Sequence, residues 1–538
     1  MKQTIYFLFI ALAFTLLSCG AKSKTPQGIL FQNEIAELAE STDGRKVFRF
    51  TDGQKAAIAS VNKKYHTLSI AVTLKKRAEM QCTGAIRFYL LSGGNAGGAI
   101  VADAALLGEK SLTLSICTMA MPDGFCVEAG DGVEIASVDA VESQVGWINI
   151  GDTQFYGFGT SGGTVRPSFT SADFTSARGY FSTSAGTYAS IIYSPSSKQG
   201  SLNVSVGGER FLVQRHAKQL STTIPSSAVN DIFQGIAFDD ASAVAGCVLR
   251  FNPKIDKQGF AAVKSDAGLI PDWAEARWRN RDYEVFSWEE FPNVLIFDTR
   301  NYDVQDDFFR RLAYFAEKRG YVGTLVSDRE LSGKHGYNAH DYRSETLANF
   351  FNKATAENFP LNEKELLLKS ILLTNGILVQ EGQSVKATNG ALISISRDSP
   401  EYLRWQFLNH EGFHGVFFTH EEFRDKMRDI YNTMDYKSLE FVKAYYRVSP
   451  ELDYDTNDLY LMQNELMAYT IQHRVQGVAS YYKNLASRAH VQKAIPELAS
   501  YVLDTNAAGF TAIAKKIDAF VYENYGLNAG RVYLITRQ

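Results

Sequence analysis

Through the first half of the chain, apolar and polar positions alternate with a period of two. Residues 67–74 place Leu68, Ile70 and Val72 on one face of a strand, Leu112, Leu114 and Ile116 repeat the pattern, and Val133, Ile135 and Val138 follow it more loosely. Clusters of Gly, Asp, Asn and Ser separate these runs. The pattern predicts an N-terminal antiparallel β-sandwich region over 30–160 and a second β-rich segment over 161–255, with strands at 179–183 and 201–206. A soft boundary falls in the Gly/Ser/Thr-rich stretch 159–167, and no repeat of fixed period is visible. Near residue 290 the pattern changes. Residues 294–297 form an apolar strand, and 303–319 have helical spacing, with Phe308, Leu312 and Phe315 on one stripe and Gly320 as a stop. Residues 321–326 read as another strand. Asn362 and Glu365 have capping-box spacing for a helix that ends at Gly376, and strands return at Val379 and at 391–396. Beyond 400 the chain is nearly all helical, so 256–538 is expected to be an α+β domain.

Composition narrows the classes of partner. The chain is 45% hydrophobic and 21% charged with a net charge of -4, a near-neutral balance that argues against a nucleic-acid partner. At the N-terminus, Lys2 precedes an apolar run, 5–17, of secretory-leader length and too short to span a bilayer comfortably. It ends in Leu16-Leu17-Ser18-Cys19-Gly20, which resembles the lipobox of bacterial lipoproteins. The resemblance implies a leader over 1–19, a lipidated Cys19 anchored to the membrane, and an extracytoplasmic location at the outer membrane or cell surface rather than the inner membrane. Residues 20–29 read as a flexible tether. Outside the cytoplasm Cys82, Cys117, Cys126 and Cys247 are able to pair, and Cys117 with Cys126 across the Pro122-Asp123-Gly124 turn has the easiest geometry.

The chemistry concentrates in His410-Glu411-Gly412-Phe413-His414, an H-E-x-x-H sequence in a chain with nine histidines. On a helix, residues four apart share a face, so both imidazoles reach one Zn2+ and Glu411 reaches a water beside it. Ser399-Pro400-Glu401 supplies a helix start, with proline at the first helical position, and the apolar strand 391–396 lies just upstream. A strand followed closely by this helix resembles the zincin metallopeptidases. The resemblance covers roughly 290–480. It implies a zinc-dependent hydrolase acting on peptide or protein, with 391–396 as the sheet edge that pairs with extended substrate.

A third ligand has two candidates. Glu465, in Asn464-Glu465-Leu466-Met467-Ala468-Tyr469, lies on a helix expected over 458–476 and resembles the downstream glutamate of the gluzincin branch. That branch often places an acid four residues on; here Tyr469 stands there, and support for the zinc-binding histidines is unassigned. His420 falls where the metzincin pattern has its third histidine, but Phe417 replaces the glycine that turns the chain. Thr419 to Glu422 also has capping-box spacing, which gives His420 a bland role. Glu465 is the preferred ligand. Two neutral imidazoles and one carboxylate leave zinc a net positive charge, so a water there loses a proton near neutrality, with Glu411 as the general base. Tyr460, Tyr469 and His473 are candidate oxyanion donors, with Tyr469 and His473 carried forward.

Weaker signals accompany this one. Gly157-Phe158-Gly159-Thr160-Ser161-Gly162 satisfies G-x-G-x-x-G, but Pro167 follows too soon for the helix a dinucleotide site needs, so it reads as a turn. His335, His340 and Asp341 share a loop able to line the cleft or bind a second metal, though a structural loop fits the spacing better. Trp273, Trp278 and Trp288 offer a sugar-stacking face or, more commonly, packing; glycan contact by the β domains is a related possibility. The expected protein is thus an anchored lipoprotein with a zincin-like peptidase at 256–538. The alternatives are a non-catalytic binding lipoprotein with a vestigial zincin fold and a hydrolase of non-peptide amides.

Overall fold

The computed structural model describes residues 259–538 apart from 450, 451 and 453, and, with internal gaps, residues 28–149, 164–165 and 186–251. The leader, Cys19, the glycine-rich turn at 157–162 and the strand expected at 179–183 lie outside the described residues. The chain is multidomain, with several antiparallel sheets and a C-terminal helical region. It divides into two compact units, one of residues 1–160, 165–181 and 245–252, the other of 161–164, 182–244 and 253–538. Among the described residues no helix is long and apolar enough to cross a membrane.

The first unit holds two antiparallel sheets of the sandwich-like kind. One runs in the order Gly28–Leu30, Val133–Glu142, Leu68–Lys76, Leu112–Thr118. Its first strand takes up the end of the expected tether. The alternation read in the sequence becomes burial: Ile70, Val72, Leu74 and Leu114 are fully buried. The loose spacing of Val133, Ile135 and Val138 has a cause, because the register shifts between Ile135 and Ser137. The extra residue of a bulge moves the next apolar side chain back to the core face. In the other sheet Arg45–Arg49, Gly124–Glu128 and Ala85–Ser92 are neighbours, and Phe48 stacks on Phe125 at 4.8 Å. Cys126 is a buried free thiol in this sheet, so it forms no disulfide with Cys117, whose strand, Leu112–Thr118, belongs to the other sheet.

The second unit contains the α+β half and also the described part of the second β-rich segment. The sequence reading separates 161–255 from 256–538, but the chain's final strand, Ile535–Arg537, pairs with Glu209–Arg215 and makes the two continuous. Glu209–Arg215 forms a hairpin with Gly200–Val206, turned by Gly207 and Gly208 at φ of 58° and 83°. Both glycines adopt the left-handed conformation that two-residue hairpin turns require.

The sheet that carries the candidate site has five strands. In chain order they are β1 (Val263–Ser265), β2 (Tyr283–Trp288), β3 (Val294–Thr299), β4 (His340–Arg343) and β5 (Ala391–Ser396), arranged β1-β2-β3-β5-β4. β5 runs parallel to β3 and antiparallel to β4. Helices α1 (Tyr302–Ala316), α2 (Ser344–Ala356) and α3 (Glu363–Thr374) contribute Phe308, Leu312, Phe350, Leu368 and Leu372 to one core with Leu295, Phe297 and Leu392. The capping box at Asn362 and Glu365 forms as expected. The strand expected at 321–326 does not: turns and irregular backbone replace it, with Gly323 at φ 73°. The motif helix is α4 (Glu401–Thr419), followed by α5 (Glu421–Asn432), α6 (Tyr436–Val448) and α7 (Leu459–Ile471).

Candidate metal centre

Helix α4 is held against the sheet at several points along its length. Pro400 stands at its N-cap, one position earlier than expected, and Ser399 instead meets the Tyr302 hydroxyl at 2.8 Å. One turn in, Arg404 grips the buried Asp298 of β3 with two bonds of 3.0 Å, and Arg397 joins the same carboxylate at 2.7 Å. Further along, the motif's own glycines allow close approach. A Cβ on Gly415 would stand 2.7 Å from Val294 Cγ1, and one on Gly412 would touch the Trp288 ring at 3.5 Å. Asn409 Oδ1 accepts the Val532 amide at 2.9 Å. This clamping fixes how the face bearing His410 and His414 is presented.

The two imidazoles lie edge to face with centroids 4.7 Å apart, and His410, Glu411 and His414 each offer a ligand atom within 4.8 Å of the others. From α7, Glu465 brings its carboxylate to 4.0 Å from His410 Nε2 and 3.8 Å from His414 Nε2. Its Oε2 is buried and has no hydrogen-bond partner. Tyr454, from the segment before α7, acts on the same carboxylate to hold its pKa down. Of the two candidate third ligands, only Glu465 reaches both imidazoles. His420 is the N-cap residue of α5, with Nδ1 at 2.8 Å from Thr419 Oγ1 and its ring 4.9 Å from Phe291. The capping box expected at Thr419 is absent, since Thr419 donates to Gly415 O within α4.

Electrostatics distinguish the members. Burial, then the neighbouring His414, drives the His410 pKa well below its ordinary value, which favours the neutral imidazole. Burial would also lower His414, but the Asp341 and Glu465 charges and the Asn464 side chain more than offset it. Glu411 is pushed well above the carboxylate range by desolvation, then by the charges of Asp341, Glu465 and Glu317. Desolvation likewise pushes Glu465 up to about 7, against the opposing pull of His414. Glu317 is exposed to solvent and adds its negative charge to the group. An excess of carboxylates around two imidazoles is an environment that a divalent cation relieves. Two imidazole nitrogens and a carboxylate oxygen without a partner form a donor set able to hold a metal ion.

The chain matches no family model, no curated protein and no solved structure.

Other expected participants fall differently. Tyr469 packs its ring 4.7 Å from His410 and its hydroxyl 3.4 Å from that of Tyr454. Burial pushes this phenol's pKa far up, so it stays a neutral donor. His473 lies beyond the end of α7, which stops at Ile471 rather than reaching 476, and its ring packs on Tyr481 at 4.4 Å. Tyr460 contacts Phe417 and lies under the Arg343 guanidinium, on the side of the edge strand. Trp273 and Trp288 are fully buried against Phe286 and Phe291, which excludes them from a sugar-stacking face.

The expected substrate edge is displaced by one strand. β5 lies inside the sheet with every residue buried, and β4 is the edge. A run such as Ala391–Ser396, with small or apolar residues on both faces, fits an inner strand with a parallel neighbour. The short polar His340–Arg343 reads as an edge. β4 also carries Asp341, whose negative charge, after burial, does most to raise Glu411. Sequence reasoning missed Asp341's place beside Glu411, and it missed Tyr454 and Gln472. Gln472 follows Glu465 by seven residues, two helical turns on the same face. Its Oε1 lies 3.1 Å from His410 Nδ1.

Proposed function

We propose that this protein is a zinc-dependent peptidase of gluzincin-like arrangement, with His410, His414 and Glu465 holding the metal, tethered outside the cytoplasm through a lipidated Cys19. The observation that carries the reading is the approach of Glu465 to within 4.0 Å of both Nε2 atoms from 51 positions beyond His414. Zinc held there would supply a Lewis acid that polarises a scissile carbonyl and acidifies a water.

The rest of the chemistry belongs to the chain's own residues. Glu411 accepts the proton of the attacking water and delivers it to the departing amine nitrogen, so the water's hydroxyl goes to the acyl carbon and its proton to the amine. Desolvation around Glu411 raises its proton affinity towards the range useful for both transfers. The negative charge of Asp341 strengthens that effect on Glu411. Tyr469, neutral and beside His410, is the better placed of the two oxyanion donors taken from the sequence, because His473 is packed on Tyr481. β4 offers an unpaired backbone edge to an extended peptide, whose main chain would extend the sheet.

The test is cleavage of a mixed-sequence peptide library by the zinc-loaded full chain beside Glu411→Gln. Cleavage by the wild type and loss of about two to four orders of magnitude in the variant are expected. Equal cleavage by both proteins would contradict the catalytic role. Absence of cleavage by a wild type shown to hold zinc would favour a binding protein.

A further inference from the structure

Metal-binding histidines ordinarily donate their second ring nitrogen to a carboxylate or carbonyl, which fixes the tautomer and the ring. At His410 the partner is an amide side chain. Gln472 is 6% exposed and sits at the C-cap of α7 in helical conformation, which carries its side chain along the face that bears Glu465. Its Oε1 receives the His410 Nδ1–H at 3.1 Å and Gln406 Nε2 at 3.3 Å, and its own Nε2 donates to Tyr469 O at 3.4 Å. The chain of donors fixes the direction of each bond. With Tyr469 O taking the amide hydrogens and Gln406 supplying one, Gln472 Oε1 has to be an acceptor at His410. A proton therefore resides on Nδ1, and the lone pair is on Nε2, the atom that faces Glu465.

We propose that Gln472 is a positioning residue that presents His410 Nε2 to the metal, and that it does so without charge, leaving the centre's net charge to Glu465. This rests on the metal-site reading above. An amide in place of an acid has a chemical consequence. It orients the ring without adding to the ring's basicity, so the site binds zinc less tightly than the same site with a carboxylate at 472, and the metal keeps more of its charge for acidifying water. Tyr469 does not take that role, since it meets His410 through ring packing and sends its hydroxyl towards Tyr454.

The experiment is a competitive zinc titration against a chromophoric chelator, using the full chain as wild type, Gln472→Leu and Gln472→Glu, with thermal unfolding of each metal-free protein as a check on folding. Gln472→Leu removes the acceptor at similar size and is expected to weaken zinc binding by about 10- to 100-fold. Gln472→Glu keeps the acceptor and adds charge, and is expected to bind as tightly as the wild type or more tightly. Unchanged affinity in Gln472→Leu, or an equal loss in Gln472→Glu, would overturn the role of Gln472 while leaving the metal centre in place. A wild type that takes up no zinc would overturn the centre itself, a result distinct from either.

Discussion

His335 and His410 both stand beside carboxylates in the same unit, but their surroundings commit them to different chemistry. At His335 both ring nitrogens are used: Nδ1 meets Asp306 at 2.8 Å and Nε2 meets Asn338 at 3.1 Å. Asp306 also accepts the Gly336 amide at 3.0 Å, so the loop closes on itself. The neighbouring His340 is buried, meets the Tyr342 hydroxyl at 2.8 Å, and is pushed down to about 3 by burial, then by the His335 charge. At His410 only Nδ1 is occupied, by Gln472, and Nε2 faces an unpartnered carboxylate oxygen. The residue types are alike in the two places. A helix with fixed four-residue spacing and a carboxylate from another helix leaves coordination capacity open, whereas a loop with local partners uses it up.

That contrast can be probed in solution. The largest effect is expected for Glu465→Ala, which removes one of three ligands and should lower zinc affinity by about a hundredfold or more, read in the chelator competition. His335→Ala should leave zinc affinity unchanged; a comparable loss there would erase the distinction. Next comes Gly415→Ala. The added methyl meets Val294, a stiff β-branched neighbour, at 2.7 Å, so a loss of about 1–3 kcal/mol in chemical denaturation is expected.

A smaller effect follows from pH. Glu465 is raised from 4.5 to about 7 in the metal-free fold by desolvation. A carboxyl raised on folding stabilises the fold fully below its unfolded pKa, and that contribution is lost as pH rises through the folded pKa. Metal-free protein should therefore lose stability between about pH 4.5 and 7, and Glu465→Gln should flatten that dependence in urea titrations. Zinc affinity should rise over the same window, since binding requires the carboxylate. The smallest effect is the stability cost of His335→Ala itself. Its side chain is 42% exposed, so a change of about 1 kcal/mol or less in denaturation is expected.

The legible parts of the site are those fixed by local geometry. The His410 and His414 spacing, the helix around them and the capping box at Asn362 follow from periodicity and from side chains that reach only a turn away. Glu465 was legible as a candidate through the resemblance of Asn464-Glu465 to a downstream gluzincin glutamate, but its meeting with both imidazoles depends on packing between α4 and α7. The position of β5 within the sheet depends on strand order, which sequence spacing does not encode, although the two-faced burial of 391–396 and the polar 340–343 carried a signal for it. Tyr454 lies in irregular backbone, and Asp341 comes from 70 residues before Glu411, so neither had a periodic pattern to mark it. Residues 321–326 failed as a strand because their apolar side chains are interrupted by a glycine in left-handed conformation.

The most direct test of the central claim is the zinc content of the full chain, measured by elemental analysis after dialysis, beside Glu465→Ala and His420→Ala. About one zinc per chain is expected in the wild type, with retention in His420→Ala and loss in Glu465→Ala. A wild type without zinc after reconstitution, or loss of the metal in His420→Ala alone, would contradict that claim.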